Sequence, residues 1–451
     1  MSNALVILAA GKGTRMLSDR PKVLHEIAHA PMLAHALRSG LALAPERVVV
    51  VAGVGADAVA DAARDVYKTA RIVLQEVQNG TAHAVAQTQE ALRDFTGDLF
   101  VLFGDTPFLQ PDTLHRMMAA RTSHDLVILG FHATDPGRYG RLVMQGEALE
   151  RIVEFKDASP KQHEISFCNS GLMACDSATL FDLIAKVTND NASGEYYLTE
   201  VVELARAAGL SVTAVACDEA ETLGVNSRSD LAAAEAIFQT RARADLLEKG
   251  VTIQAPGTVF LAFDTAIGRD TVIEPNVVFG PGVTVENGAR IRAFSHLEGC
   301  HVSCGAIVGP YARLRPGAEL AENVRVGNFV EIKNAEIGEK TKTNHLSYVG
   351  DAHVGARANI GAGTITCNYD GVMKHHTEIG RGAFIGSNTM LVAPVKIGDG
   401  ALTASGSVIT RNVEPGALAM SRSAQVNKPG RATKLFDMLK ARKKKHDREA
   451  K

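Results

Sequence analysis

The stretch I-G-R-D-T-V-I-E-P-N-V-V-F-G-P-G-V-T-V-E-N-G-A-R-I-R-A-F-S-H-L (Ile267–Leu297) places an apolar residue at every sixth position: Ile267, Ile273, Phe279, Val285, Ile291 and Leu297. That period matches neither a helix face nor an isolated strand. It is the period of a solenoid of short strands, a parallel β-helix. After a one-residue slip the series resumes as Val302, Val308, Leu314, Leu320, Val326 and Ile332, and later as Ile379, Ile385, Leu391, Ile397, Thr403 and Ile409. Glycine tends to follow the aliphatic residue, as in I-G-R-D, V-G-N-F, I-G-E-K and I-G-D-G. That placement suits tight corners of positive φ. Between Thr366 and Ile379 the ladder skips, and C-N-Y-D-G-V-M-K-H-H-T-E (Cys367–Glu378) is expected to be extruded. One large interruption of a regular rod is where function should be sought.

The whole chain has 451 residues, 46% of them hydrophobic, and a formal net charge of −2. The length suits two large domains or about three ordinary ones, and the charge gives no field directed at nucleic acid. Tryptophan is absent and aromatics are 5%, in keeping with a thin rod filled by Val, Ile and Leu. Cys168, Cys175, Cys217, Cys300, Cys304 and Cys367 are scattered, which predicts a reducing compartment. His296, Cys300, His301 and Cys304 imitate a zinc cluster, but they fall inside the ladder, where alternate side chains point to opposite sides. Packed or solvated thiols are expected there. The opening A-L-V-I-L-A-A lacks a basic flank and runs straight into G-K-G-T-R, and no apolar run reaches bilayer length. A cytoplasmic location is expected, with no membrane insertion and no nucleic-acid partner.

Upstream of the ladder, residues 4–226 alternate apolar runs (Leu5–Ala9, Val48–Ala52, Leu99–Phe103, Leu126–Phe131) with amphipathic helical patterns. This predicts βαβ units and a mostly parallel sheet. Residues 227–248 contain no Gly or Pro and read as a connecting helix capped by Ser229 or Asp230. The expected plan is therefore an α/β domain over 1–226, a linker helix over 227–248, a β-helix over 249–432 and a charged tail over 433–451. The tail ends A-R-K-K-K-H-D-R-E-A-K and is expected to be solvated and frayed.

The first strand of the α/β domain runs into L-A-A-G-K-G-T-R-M (Leu8–Met16), followed by P-K-V-L (Pro21–Leu24). Glycines after a strand let backbone N–H groups approach a phosphate, and Arg15 and Lys22 add charge suited to a polyphosphate. The spacing is neither that of a Walker A loop nor that of a dinucleotide-binding loop, because Met16 stands three after Gly13. The nine-residue string with P-K-V-L closely resembles the signature of sugar-1-phosphate nucleotidyltransferases. L-F-G-D (Leu102–Asp105) adds a carboxylate at the carboxyl end of a strand, where open α/β sheets bind ligands.

Four further strings narrow the resemblance: Y-G-R (Tyr139–Arg141), I-V-E-F-K-D (Ile152–Asp157), N-S-G (Asn169–Gly171) and G-E-Y-Y-L-T (Gly194–Thr199). With them, essentially the whole chain resembles the bacterial bifunctional N-acetylglucosamine-1-phosphate uridylyltransferase / glucosamine-1-phosphate acetyltransferases. The fold this implies is an α/β Rossmann-like nucleotidyltransferase domain, a connecting helix, then a left-handed parallel β-helix of hexapeptide repeats. The handedness comes from the resemblance alone. The resemblance also implies that Leu8, Ala9, Ala10, Gly11, Lys22, Phe103 and Gly104 line a UTP site. Gln75 and the stretch Gln78–Ala84, with Gly80 and Thr81, would read the uracil. Asp105 and Asn226 (in G-V-N-S-R) would hold Mg²⁺, and Gly140, Glu154, Asn169 and Thr199 the acetamido sugar. Phe103 stands where many relatives carry a hydroxyl residue. The implied chemistry is in-line attack of a sugar-1-phosphate on the α-phosphorus of UTP. Arg15 and Lys22 would position and neutralise the phosphates.

In the ladder, R-L-R-P (Arg313–Pro316) and E-I-K-N (Glu331–Asn334) place Arg315 and Lys333 one three-sided coil apart, roughly eighteen residues in a hexapeptide solenoid. Stacking would bring both cations to one phosphate. N-H-L-S-Y (Asn344–Tyr348) supplies His345, and A-N-I-G-A-G-T-I-T-C-N-Y-D-G (Ala358–Gly371) leads into the extruded segment. By the resemblance His345 is the general base for attack of an amine on acetyl-CoA, work suited to an imidazole. Arg315, Lys333, Tyr348, Asn359 and Lys374 would bind glucosamine-1-phosphate. Ala362, Asn368, Tyr369, Ser387, Ser405 and Arg422 would line the acetyl-CoA site. His375 and His376 read as exposed loop residues without a role. The resemblance further implies a homotrimer with shared sites and a place in cell-wall and lipopolysaccharide precursor supply. A groove between neighbouring prisms suits that assembly. Two other readings remain: a single-function nucleotidyltransferase whose β-helix only oligomerises or senses effectors, and a non-catalytic scaffold. A purely structural coil has no need of His345, Asn359, Asn368, Tyr369 and Lys374.

Overall fold

The computed structural model describes residues 2–449, which form two compact units, one mainly from residues up to Lys249 and the other mainly from Gly250 onward. In the first unit the strands are β1 (Asn3–Ala9), β2 (Arg47–Ala52), β3 (Arg71–Leu74), β4 (Asp98–Phe103), β5 (Leu126–His132), β6 (Arg141–Gln145), β7 (Ala148–Val153), β8 (Phe167–Asp176) and β9 (Val212–Cys217). They make one sheet in the order β3-β2-β1-β4-β8-β5-β9-β7-β6. Strands β1 to β4 are parallel, and β8 runs antiparallel between β4 and β5.

Every residue of β1 is buried. A central parallel strand has helices on both faces, which accounts for its unbroken apolar run. Leu5 and Ile7 join one core with Leu33, Leu37 and Val59, while Ala4 and Val6 join the other with Val85, Leu198 and Val201. The chain leaves β1 toward β2 and later returns on the opposite side of β1 as β4. Such a reversal opens a crevice beyond the carboxyl ends of the two strands.

A single helix spans Arg228–Glu248. Its cap is Ser227, not Ser229 or Asp230. Asp230 N–H donates to Ser227 Oγ at 3.2 Å, and Ser227 N–H donates to the Asp230 carboxylate at 2.9 Å. The S-x-x-D spacing closes a reciprocal capping box, which neither residue could form from position 229 or 230 alone.

In the second unit short strands stack coil upon coil. One ladder runs Thr252–Ile253, Val272–Ile273, Arg290–Ile291, Ile307–Val308, Arg325–Asn328, Lys342–His345, Asn359–Ile360, Phe384–Ile385, Leu402–Thr403 and Leu418–Ala419, all parallel. Ile273, Ile291, Val308, Val326, Ile360, Ile385 and Thr403 point inward and are buried, so the six-residue series is the filling of the rod.

The glycines after the aliphatic positions serve a different purpose from the expected positive φ. Gly338, Gly355 and Gly380 are not in the left-handed region. A Cβ on them would lie 2.5, 2.6 and 2.5 Å from the backbone nitrogens of Ala356, Arg381 and Asp399. Stacked coils leave no room there for a side chain. Corners that do adopt the left-handed region are often occupied by other residues, among them Tyr311, Asn323, Phe329, Lys340, Leu346 and Arg357, with φ of 49° to 60°.

The extruded segment is shorter than expected. Ile365–Cys367 and Thr377–Ile379 are both strands, the latter in register with Ala352, His353 and Val354. Only 368–376 leaves the rod, closed by an antiparallel bridge between Tyr369 and Lys374. Nor is His375 idle. Its Nε2 lies 2.7 Å from the Asp370 carboxylate, and its N–H donates to Asn368 O at 2.7 Å. Hydrogen bonds from His375, Met373 and Val372 hold the Asp370 carboxyl far below the usual range.

Residues Arg431–Glu449 form a helix with an exposed surface, where a frayed tail was expected. That stretch has no Gly or Pro and is rich in Ala, Leu, Met, Lys and Arg, all good helix formers. Among the described residues no helix is long and apolar enough to cross a membrane.

Candidate active sites

A cavity of about 350 Å³ opens at the crevice beyond β1 and β4. Leu8, Ala9, Ala10, Gly11, Lys22, Gln75, Gly80, Thr81, Phe103 and Asp105 all line it. Val23, Gln78, Ala84 and Glu195 line it as well; all four lay in stretches singled out beforehand, though none had been assigned a role individually. Gln78 Nε2 donates to Ala10 O at 2.7 Å and so pins the glycine loop. Gly13 has a left-handed φ of 59°, and a Cβ there would lie 2.6 Å from Lys22 Cβ. The loop thus folds back onto the stem of Lys22.

The Lys22 ammonium donates to the Asp105 carboxylate and, at 3.0 Å, to Asn226 Oδ1. Two oxygens from distant parts of the chain therefore converge on one cation. Hard oxygen donors, few in number, fit Mg²⁺, which keeps phosphate and water oxygens for its remaining positions. Asn226 N–H is held by the Asp230 carboxylate at 2.9 Å, so the helix cap also orients this residue. Arg15 is exposed and does not line the cavity. Gly104 N–H donates to Leu8 O at 3.0 Å and ties the two strand ends together.

Gly140, Glu154, Asn169 and Thr199 form a neighbouring group. Thr199 Oγ1 donates to Glu154 Oε1 at 3.2 Å, and Asn169 N–H donates to Gly140 O at 2.8 Å. A Cβ on Gly140 would stand 3.5 Å from both Glu154 carboxylate oxygens. Burial pushes the Glu154 carboxyl above the usual range against the opposing hydrogen bond from Thr199. Gly171, at φ 87°, would place a Cβ 2.6 Å from Phe103 Cε2. The Phe103 ring therefore lies on bare backbone.

In the second unit, Arg315 Nη1 lies 2.8 Å from Glu331 Oε1. Lys333, one coil on, meets Lys374 from the extruded segment, and that neighbouring ammonium holds Lys333 below the usual lysine range. Asn368 Nδ2 donates to the Asp351 carboxylate and, at 3.3 Å, to Tyr348 Oη. Asn334 Nδ2 donates to the other Asp351 oxygen at 2.6 Å. Burial opposes ionisation of Asp351, but these amides and the charges of Lys333 and Lys374 outweigh it and hold its carboxyl low. Glu331 and Asn334 lie in E-I-K-N and were given no role there, and Asp351 was not singled out. Its only signal is a separation of one coil from Asn334.

A second group follows one edge of the rod. His345 Nδ1 lies 2.9 Å from Asn328 Oδ1, its partner in the ladder. Along the same edge His345 O accepts from Gly363 N, Ala362 O from Asn388 N, Ser387 O from Gly406 N, and Ser405 O from Arg422 Nη1 at 2.8 Å. Asn328, His345, Ala362, Ser387, Ser405 and Arg422 thus stack in one column. Beside it runs an exposed stack of Phe294, Tyr311 and Phe329, with ring centroids 4.8 and 5.3 Å apart, continued by exposed Leu346. Asn359 stands on the adjoining face between Lys342 and Phe384, in a groove of about 540 Å³ that also holds Arg325, Lys340 and Arg357. Tyr369 is exposed, its hydroxyl donating to Gly371 O at 2.6 Å.

The zinc-like residues have other partners. Cys300 is buried and its thiol is pushed up to about 12, while His301 and Cys304 both hydrogen-bond Glu286, at 3.1 and 3.2 Å. No group of three or more His, Cys, Asp or Glu that could hold a metal ion occurs among the described residues.

A MobA-like NTP transferase domain family matches residues 5–171, and the bacterial transferase hexapeptide family (six repeats) matches residues 264–299 and 376–411. The Bifunctional protein GlmU of Ruegeria sp. (strain TM1040) is 71% identical over 98% of this chain and 99% of its own. That of Ruegeria pomeroyi is 73% identical over 100% of both chains, and that of Jannaschia sp. (strain CCS1) is 63% identical over 97% of this chain and 96% of its own. With that identity along both units, the α/β sheet and the left-handed hexapeptide coil alike, the chain belongs to the bifunctional GlmU family, enzymes that join a uridylyltransferase and an acetyltransferase in one polypeptide.

Proposed function

We propose that the two activities divide between the units and act in sequence. The coil over residues 249–432 acetylates glucosamine-1-phosphate from acetyl-CoA. The α/β domain over 1–226, followed by the helix over 227–248, then joins N-acetylglucosamine-1-phosphate to UTP, releasing pyrophosphate and UDP-N-acetylglucosamine. One observation supports the two-site reading above all. Lys333 and Lys374 are pressed together one coil from Arg315, and a coil with only a structural role gains nothing from crowding cations. A sugar phosphate placed there would relieve the repulsion.

In uridylyl transfer, Leu8–Gly11 and Lys22 cradle the triphosphate, Gln75, Gly80 and Thr81 face the base, and Gly140, Glu154, Asn169 and Thr199 hold the acetamido sugar. Asp105 and Asn226 would hold Mg²⁺, which supplies charge neutralisation at the phosphates when bound. Lys22 shares that task, and Arg15 reaches the phosphates only from the open side of the loop. In acetyl transfer, Asn328 turns its amide oxygen to His345 Nδ1, an arrangement in which the imidazole carries its proton on Nδ1 and Nε2 presents its lone pair to the substrate ammonium. The amine so released attacks the thioester carbonyl, and the CoA thiolate leaves. Ala362, Ser387, Ser405 and Arg422 offer the CoA a track along the same edge, with Asn368 and Tyr369 at the extruded segment. Arg315, Lys333, Tyr348 and Lys374 hold the sugar phosphate. Asn359 lies on the adjoining face, and a neighbouring subunit set against the aromatic stack would complete the groove. Such a stack favours an oligomer, because exposed apolar rows of this kind mark contacts between chains, and the family resemblance implies a homotrimer. A cytoplasmic location fits small anionic substrates of this kind.

The test supplies purified protein with glucosamine-1-phosphate, acetyl-CoA, UTP and Mg²⁺, and follows thiol and pyrophosphate separately. Both are expected. Pyrophosphate appearing only from pre-acetylated sugar would remove the acetyl-transfer assignment. Gly13→Ala is expected to lower kcat/KM for uridylyl transfer about tenfold or more, with thiol release unchanged. The added methyl would carry a left-handed φ and displace Lys22 from Asp105 and Asn226, and a tenfold loss corresponds to about 1.4 kcal/mol.

A further inference from the structure

We infer that His83 is a positioning residue that sets which end of the Gln75 amide faces the nucleotide base, and so helps the enzyme choose uracil over cytosine. The inference rests on the reading of Gln75 as a residue that meets the base.

Gln75 is almost wholly buried, and its side-chain nitrogen lies 3.0 Å from Gly80 O and 3.0 Å from His83 Nδ1. The carbonyl of Gly80 can only accept, so the NH₂ end of the amide must point to it. That NH₂ has two hydrogens and no lone pair to offer, so His83 Nδ1 must accept the second hydrogen. An imidazole that accepts at Nδ1 and is neutral carries its proton on Nε2. The group facing Nε2 is Gln87, one helical turn on, with an amide end 3.2 Å away. The same Gln87 nitrogen lies 3.3 Å from His83 O, which can only accept. Gln87 therefore meets two demands, NH₂ for the carbonyl and an oxygen for Nε2–H, and does not itself fix the order. The Gly80 carbonyl fixes it, because turning the Gln75 amide would set its oxygen against Gly80 O.

The order of donors is therefore settled at Gln75: Gly80 O accepts one hydrogen of its amide and His83 Nδ1 accepts the other. Gln75 Oε1 has no hydrogen-bond partner among the described residues, and Gln75 lines the cavity. What the nucleotide meets is an acceptor. Uracil carries N–H at N3 and can donate to it. Cytosine carries a lone pair at N3 and is repelled. A site built to hydrogen-bond one group rejects the analogue that lacks it far more strongly than shape alone can. Without the imidazole, one of the two contacts that hold the amide disappears, and a flipped Gln75 offers its NH₂ to cytosine.

The experiment measures kcat/KM for UTP and for CTP, with N-acetylglucosamine-1-phosphate and Mg²⁺, in the wild type, His83→Phe, Gln87→Met and Gln75→Ala. His83→Phe keeps ring volume and removes the acceptor. It is expected to lower the UTP/CTP preference roughly tenfold, with KM for the sugar phosphate unchanged. Gln87→Met, at a half-exposed position, removes the amide that holds the His83 ring at Nε2 and is expected to shift the preference less, in the same direction, so the test survives if His83→Phe fails to fold. Gln75→Ala is expected to lose the most. If Gln75→Ala loses the preference while folded His83→Phe and Gln87→Met both keep it, the positioning role of His83 is wrong and the base-reading role of Gln75 stands. If Gln75→Ala also keeps it, the base-reading assignment fails and the inference with it.

Discussion

Asp105→Asn is expected to reduce pyrophosphate release from UTP and N-acetylglucosamine-1-phosphate about a thousandfold, while thiol release from acetyl-CoA and glucosamine-1-phosphate continues at the wild-type rate. Asparagine keeps the size of the side chain and removes the charge. Among the described residues the Asp105 carboxylate is the one anionic group in contact with the Lys22 ammonium, Asn226 contributing a neutral oxygen. Without it a divalent ion loses its charged protein ligand, and Lys22 loses the partner that aims it. Each tenfold step in rate is about 1.4 kcal/mol, so a thousandfold loss asks about 4 kcal/mol of a single charge. That is the size of effect expected when one preorganised charge is removed from a phosphoryl-transfer site. Acetyl transfer is spared because Asp105 belongs to one compact unit and the Lys333–Lys374 cluster to the other, with no shared partner. Uridylyl transfer within tenfold of wild type in the folded variant would mean that the converging oxygens are a structural tie and not a cation site.

The complementary change is His345→Ala. Thiol release with glucosamine-1-phosphate is expected to fall between a hundredfold and ten-thousandfold, the range over which a positioned general base contributes, as an order of magnitude. Pyrophosphate release from pre-acetylated sugar should not change. His345 is exposed and carries no buried load, so truncation removes chemistry and little stability. The hydrogen bond to Asn328 lies on the side of the ring away from the reacting nitrogen. Its loss costs the orientation and tautomer of a group that is itself gone, so the effect reports the base alone. A variant that releases thiol at the wild-type rate would remove His345 from the mechanism. Attention would then pass to the crowded Lys333–Lys374 pair as the source of a readily deprotonated amine.

Most of the architecture was legible because it repeats. A coil of the rod is built from contacts one period apart, so Ile273, Ile291 and Val308 announce their burial through spacing. The phosphate loop was legible for a related reason. Gly11, Gly13 and Lys22 lie within one short string, and a tight turn back onto a lysine stem is a local event. The glycines of the coil were recognised but misread. Their need arises from the neighbouring coil's backbone at Gly338 and Gly355, which is not in their own stretch of chain. The cap at Ser227 was displaced because a capping box is a reciprocal pair, visible only when both ends are weighed together. The tail was misjudged because its charge was weighed before its freedom from helix breakers.

What the chain order alone could not yield is every partnership across the stack or across the sheet. Asn328 meets His345 at a separation of 17 residues, Asn368 meets Asp351 at 17, and Lys22 meets Asn226 at 204. His83 and Gln75 lie close in sequence, yet their donor order follows from the Gly80 carbonyl that folding sets beside them. Period and motif are written in residues that neighbour one another along the chain, because strand pairing and turn geometry act over a few bonds. Charge, tautomer and ligand geometry depend on distances of about 3 Å between groups that only the closed fold brings together.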